Sequence, residues 1–193
     1  MKLSDIASIK SGLVLSRKAA DSYDSVIYKY NQLNLKCINE NGTIDLDQLD
    51  YYESKEELNA NYLSQVGDII VRLTVPNTAA LITDETKNIV VSSHFCMIRV
   101  NKKEILPEYL QWYLNSEIVK KQIAGSIMGS AFAAVKPGFY NELKLKLPSI
   151  KEQKIIAEFY KLAMKEIRLL EDLKQEKEML YNYVLANYYK KLK

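Results

Sequence analysis

Residues 149–193 read SIKEQKIIAEFYKLAMKEIRLLEDLKQEKEMLYNYVLANYYKKLK, a run with no proline and no glycine. Ser149 is a preferred N-cap residue and Glu152 follows three residues later, so the run opens with a capping box. Ile156, Phe159, Ala163, Ile167, Leu170, Leu173, Leu180, Val184 and Tyr188 recur at steps of mostly three and four, which puts an apolar stripe on one helix face. A continuous helix of this length reaches about 65 Å at 1.5 Å per residue. A domain built from the remaining residues is about 35 Å across. The stripe is therefore expected to outrun its own domain and to require another surface. A break near Lys174–Glu178, with both pieces folded back on the core, is the alternative.

Composition narrows the rest. Apolar residues make up 48% of the 193, enough for a core and too many for a disordered chain. No apolar run is long enough for a membrane span, and the start MKLSDIASIKSG lacks the apolar centre of a signal peptide. Cys37 and Cys96 read as buried free thiols on strands, so the expected compartment is the reducing cytoplasm. A net charge of +3 hints only mildly at an anionic partner. Fourteen tyrosines against four phenylalanines favour surfaces that are apolar at one end and wet at the other.

Along the chain, residues 3–9 read as a short helix or a strand that turns at Ser11-Gly12, and residues 16–22 as a loop. Residues 26–38 are rich in β-formers; Asn41-Gly42 is a turn signal with Thr43–Leu46 as the returning strand. Ser54–Leu58 resembles a capped helical turn. Gly67-Asp68 opens an apolar strand, 69–74, of the kind buried on both faces, and Pro76-Asn77 ends it. Strands are expected at 79–83 and 88–100, joined by the turn Asp84–Lys87. Pro107 starts a helix, Ser116 caps a second that stops at Gly125, and 125–131 is a glycine- and serine-rich loop. Leu143, Leu145 and Leu147 alternate with lysines as in a half-exposed strand. The expectation is an α+β fold, with a mixed-sheet domain at 1–148 and a long helix at 149–193 that pairs as an antiparallel coiled coil.

No phosphate-binding glycine loop, dinucleotide fingerprint, serine elbow or HExxH occurs, and the single His94 with two distant cysteines does not make a zinc site. No catalytic residue, metal or cofactor is therefore expected. A nuclease-like drawing from Asp68 to Glu85-Thr86-Lys87 exists, but Glu-x-Lys recurs at Glu142 and Glu152 and reflects composition. Polar residues at the expected sheet edges suit nucleic acid better. They are Arg17, Lys18, Arg72, Thr74, Asn77, His94, Ser130 and Lys136. Arginine and lysine read guanine, asparagine reads adenine, and serine, threonine and lysine hold phosphates.

The order GDIIVRLTV (67–75), IVVSSHFCMIRV (89–100), LPEYLQWYLNS (106–116), a glycine-serine loop and LKLKLPSIKEQKIIAEFYKL (143–162) resembles a specificity subunit of a type I restriction-modification system. The most specific piece is the junction from Leu147-Pro148 to Glu152-Gln153 leading into the long helix. The resemblance implies a non-catalytic protein whose target-recognition domain reads double-stranded DNA in the major groove. It implies long helices that dock the methyltransferase (M) subunits, with a restriction (R) subunit able to join. Full-length members carry two recognition domains and two such helices, whereas this chain has one of each. It looks like a half-length form. The expected unit is a homodimer paired through Ile156, Phe159, Ala163, Ile167, Leu170, Leu173, Leu180 and Val184, reading an interrupted palindrome. A coiled-coil scaffold or regulator that does not read DNA and a stand-alone nuclease are the competing readings.

Overall fold

The computed structural model describes residues 1–21, 27–101, 103–127 and 134–192. Contacts divide the chain into two units, Met1–Ile156 and Ala157–Lys193. The described strands are β1 (Ala7–Ser11), β2 (Tyr28–Leu33), β3 (Asp50–Ser54), β4 (Asp68–Arg72), β5 (Ala79–Leu81), β6 (Val90–Val91) and β7 (Phe95–Val100). The helices are α1 (Pro107–Asn115), α2 (Glu117–Ile127), α3 (Pro137–Glu142) and α4 (Ile150–Lys190). This is the expected α+β architecture with a long C-terminal helix.

β4 organises the first unit. It lies in an antiparallel sheet of order β1-β7-β4-β5 and is buried on both faces, as its continuous apolar run demands. Ile69 and Val71 point with Cys96 and Ile98 of β7 into a cluster with Tyr109, Leu110 and Leu114 of α1 and Tyr140 of α3. Ile70 points the other way, joining Phe95 and Met97 of β7 to Leu33, Cys37 and Ile38. Both cysteines are buried free thiols, and burial pushes the Cys96 thiol up to about 12.

The second sheet, β3-β2-β6, is mixed: β2 pairs antiparallel with β3 and parallel with β6. The expected single strand 88–100 is thus two short ones in different sheets. Gly12 and Leu13 cause the division. Gly12 N donates to Phe95 O (3.1 Å), Leu13 N to Val91 O (2.8 Å) and Ser93 N to Leu13 O (2.8 Å), so the chain bends at Ser92–His94. A β-carbon on Gly12 would lie 2.2 Å from the Ser92 carbonyl oxygen, which makes glycine the only residue that fits this crossing.

Other expectations need correction, several of them for the same reason, a long-range partner. Thr43–Leu46 forms only an isolated bridge, Ile38 to Ile44; the partner strand of β2 is β3, which the hydrophobic pattern does not single out. Ser54 caps no helix: it ends β3 and its hydroxyl donates to the Glu56 carbonyl (2.7 Å). Residues 143–147 keep the expected alternation, with Leu143 and Leu145 buried and both lysines exposed. They form one bridge, Lys2 to Lys144, because hydroxyls of α1 take two of their carbonyls, Tyr113 to Lys144 O (2.7 Å) and Tyr109 to Lys146 O (3.1 Å). α2 runs past Gly125 to Ile127.

The capping box forms as read. Ser149 N donates to Glu152 Oε2 (2.8 Å) and Glu152 N to Ser149 Oγ (3.4 Å). α4 continues through 174–178 without a break and spans about 60 Å by its 41 residues. Gln153, fully buried, accepts from Leu106 N (2.8 Å) and donates to Glu104 O (3.2 Å) and Pro148 O (3.0 Å).

The exit from β4 is a braced turn. It contains a cis Val75–Pro76 bond and Asn77 at φ 55°, a left-handed conformation that asparagine tolerates. Asn77 is 4% exposed, and its amide donates to Leu73 O (3.0 Å) and Arg72 O (3.3 Å). That amide is used inside the turn, which departs from the expectation of an edge residue aimed at bases. Lys120 of α2 closes the turn by donating through Nζ to Pro76 O (2.5 Å) and Asn77 O (2.7 Å). Burial pushes the Lys120 ammonium down to about 8, with Glu117 opposing the shift.

Two of these contacts can be tested by stability. Asp68, with a side chain 1% exposed, faces Arg99 across the β4–β7 ladder through two 2.7 Å bonds. Asp68→Ala should lower unfolding free energy by about 2 kcal/mol in urea titration, since Gln65 N and the Arg99 guanidinium, 37% exposed, both lose their acceptor. A loss under about 1 kcal/mol would remove the pair from the set of stabilising contacts. Lys120 binds its proton less tightly in the folded chain (about 8) than at its ordinary 10.5, so the unfolded chain holds more protons between those values. Its contribution to stability therefore rises as pH increases through that window. Relative to Lys120→Met, the wild-type melting temperature should climb between about pH 8 and 10.5; a constant difference would refute the buried ammonium.

Candidate nucleic-acid interface

The segment leaving β4 collects five of the eight polar residues singled out from the sequence, although Asn77 turns its amide inward. Arg72 is opposite Phe95 in the ladder, and Leu73 N donates to His94 O (3.0 Å), which sets His94 beside the end of β4. On the other side Thr74 bridges Ala134, and Val135 N donates to Leu73 O (2.7 Å), which brings Lys136 to the same end. Arg72 is half-buried; its guanidinium donates through Nε to Thr74 Oγ1 (3.2 Å) and through Nη1 to Leu35 O (3.3 Å). Those bonds hold the side chain in one orientation at the strand end. His94 and Lys136 are exposed, and Lys136 is the residue before the first turn of α3. Val75, 59% exposed, is at the tip of the turn between them. The result is two cations, an imidazole and a hydroxyl on a frame made rigid by the β4–β7 ladder and the Asn77–Lys120 brace.

Arg17 and Lys18 go elsewhere. They follow the first loop onto the edge of the second sheet, where Ala19 bridges Ser54 and Ala20 N donates to Glu53 O (2.9 Å). Lys18 is ion-paired with Glu56, whose hydrogen bond raises the lysine pKa and lowers that of the glutamate. Arg17 is exposed. Ser130 lies outside the described residues.

The second sheet adds polar residues that sequence reasoning misses. β2 and β3 set Asn31 opposite Tyr51 and Lys29 opposite Glu53, all exposed, with Lys29 and Glu53 3.3 Å apart. Tyr51 is 89% exposed, the most open large hydrophobic side chain among the described residues. From Tyr51 to Ser54 the strand alternates outward and inward residues, so Tyr51 faces out while Tyr52 packs inside, a register that the sequence alone does not fix. An amide, an ammonium and a phenol on one pleated face are groups that bond phosphates and base edges.

The Glu-x-Lys drawing does not assemble. Asp68 is buried against Arg99, while Lys87 pairs with Asp84 at 3.1 Å in an exposed turn. Among the described residues no three of His, Cys, Asp and Glu come together as a metal site, and no helix is long and apolar enough to cross a membrane.

On α4, Ile156 leaves the set of residues expected to pair chains, because it packs against the core beside α1. Phe159 (75%), Leu170 (59%), Leu173 (50%), Leu180 (55%), Val184 (53%) and Ile167 (42%) are exposed, and Ala163 is half-buried. Single exposed apolar residues are ordinary, whereas these lie in a row on one helix.

Comparisons with known proteins bear directly on this geometry. A family model described as the type I restriction modification DNA specificity domain matches residues 1–186. A search of curated proteins finds no match. Among solved structures, the chain is similar to one from work on complex assembly and conformational transition of a type I restriction-modification system (TM-score 0.66, 19% identity, 91% of this chain and 44% of that one). It is also similar to the HsdS subunit from Thermoanaerobacter tengcongensis (TM-score 0.64, 22% identity, again 91% and 44%). The chain thus spans less than half the length of the structures it resembles.

Proposed function

The chain belongs to the type I restriction modification DNA specificity domain family, and from that premise we propose that it reads DNA sequence for a methyltransferase complex while performing no chemistry itself. The observation that carries this reading is the gathering of Arg72, Thr74, His94 and Lys136 at one end of the four-stranded sheet. Arg72, held by Thr74 and the Leu35 carbonyl, is suited to a guanine edge in the major groove, whose O6 and N7 accept two parallel N–H bonds from a guanidinium. Thr74 and Lys136 suit phosphates, and His94 suits either. Lys29, Asn31 and Tyr51 extend the surface on the second sheet. The partners implied are methyltransferase subunits, with a restriction subunit able to join, all acting in the cytoplasm.

The long helix supplies the second half of the proposal. Its row of exposed apolar residues needs cover, and the chain spans 44% of the solved relatives. Two copies joined through α4 would present two recognition domains, as one longer chain does with two. Identical domains related by a two-fold axis read inverted half-sites, so the site is an interrupted palindrome.

The test is selection from a random duplex library by the purified chain with its methyltransferase subunit. Inverted repeats with a fixed spacer are expected; an asymmetric site from this chain as the sole specificity component would refute the symmetry. Lys136→Ala should weaken all sequences alike and reduce the slope of log affinity against log salt by about one. Arg72→Ala should cost about 1–3 kcal/mol on the preferred site and flatten preference at one base position. Uniform loss in both variants would take Arg72 out of base reading.

A further inference from the structure

One register of the long helices is distinguished by charge. Within Ala157–Lys193, positions 159, 163, 166, 170, 173, 177, 180 and 184 follow one another at alternating steps of four and three. That spacing is the 3.5-residue period of a coiled-coil seam, not the looser 3.6 period of a helix lying on a domain. Six of the eight are apolar, Phe159, Ala163, Leu170, Leu173, Leu180 and Val184, and Ile167 of the pairing row falls beside the seam, next to Glu166. The other two are Glu166 and Lys177, of opposite charge and both exposed. The helix's ion pairs within its own chain, Arg168–Asp172 and Lys174–Glu178, each 3.9 Å, use other positions.

Glu166 and Lys177 are equally far from the midpoint between Glu171 and Asp172, and so are the other seam residues in pairs. A two-fold axis through that midpoint, perpendicular to the helix, sets Leu170 opposite Leu173, Ala163 opposite Leu180 and Phe159 opposite Val184. It also sets Glu166 opposite Lys177, twice. Alternatives fare worse on charge. In a parallel pair each seam residue meets its own copy, so Glu166 faces Glu166 and Lys177 faces Lys177. In an antiparallel pair slipped by one heptad, Glu166 faces Leu170 and Lys177 faces Phe159, or Glu166 faces Val184 and Lys177 faces Leu173. Every such arrangement buries a like-charge contact or an unpaired charge, which is how natural coiled coils exclude wrong registers.

Resting on the reading that α4 pairs two chains, we infer that the occupant of this face is a second copy of the same helix. It runs antiparallel in the register where Glu166 of each chain meets Lys177 of the other, and this reciprocal ion pair is the register key. The pair contributes selection more than affinity: of the alignments compared along this seam, it leaves one free of charge conflict.

The test is charge reversal in the full chain, read by sedimentation equilibrium. Wild type is expected to be a dimer. Glu166→Lys and Lys177→Glu should each weaken it by about a hundredfold or more, because each puts like charges together at two seam layers. The double variant Glu166→Lys/Lys177→Glu should return to within about tenfold of wild type, since every pair is restored with its sign exchanged. Mixing the two single variants gives an independent arm. One chain then carries lysine at both charged seam positions and the other carries glutamate at both, so every charged layer of the heterodimer pairs opposite signs. The mixture should therefore dimerise to within about tenfold of wild type, with neither variant doing so alone. Helix content by circular dichroism shows whether each variant is folded. A wild-type monomer overturns both the pairing reading and the register. A wild-type dimer whose double variant stays as weak as the singles, or whose mixed singles gain nothing, leaves pairing intact and overturns this register. Single variants that dimerise as tightly as wild type also overturn it; a parallel pair gives that result, because like charges already meet there at both layers.

Discussion

A buried amide fixes where the long helix begins. Gln153 holds together three stretches of backbone: the entry to α1 at Leu106, the carbonyl of Glu104 and the chain at Pro148. A carboxylate there would lack donors for the two carbonyls, and an apolar residue would leave three polar groups unmet in a dry site. Glu152, one position earlier, points outward and closes the capping box with Ser149. Adjacent residues thus divide two tasks: one starts the helix, and the other ties its first turn to the core.

The sheet end used for recognition shows the same division between framework and display. Asn77 and Lys120 commit their polar groups within the turn that leaves β4. Arg72 is partly framework, since it bonds Thr74 and the Leu35 carbonyl, and partly display. His94 and Lys136 are display alone among these, exposed at their ends of chain segments that backbone bonds hold in place. Preordering the readers in this way lowers the conformational entropy that binding must offset.

What can be read from the residues is local. The capping box needs only Ser149 and Glu152, and the doubly buried strand needs only the run Asp68–Arg72; both form as expected. The uninterrupted α4 follows from the lack of proline and glycine. Most of the misses involve partners far away in sequence. Gly12, far upstream, splits 88–100 into two strands of different sheets. Tyrosines of α1 take carbonyls that would have made 143–147 a strand. Asn77 has the composition of a base reader, and only the φ of 55° and the carbonyls around it reveal a turn residue. Tyr51 is hidden for the opposite reason: an aromatic residue is assumed to face inward until the register with Asn31 is known.

The two thiols bear on how this protein can be handled. Cys37 and Cys96 are both buried, and desolvation raises both pKa values, that of Cys96 to about 12. Alkylating reagents attack the thiolate, which neither site supplies near neutral pH, and the surrounding apolar side chains block approach. A cysteine introduced at an exposed position of the helix would therefore be the one fast-reacting nucleophile of its kind among the described residues. Fluorophores, spin labels or cross-linkers could be placed there without first replacing the native pair. Distances between labelled chains would then be measurable on a protein whose interior is untouched.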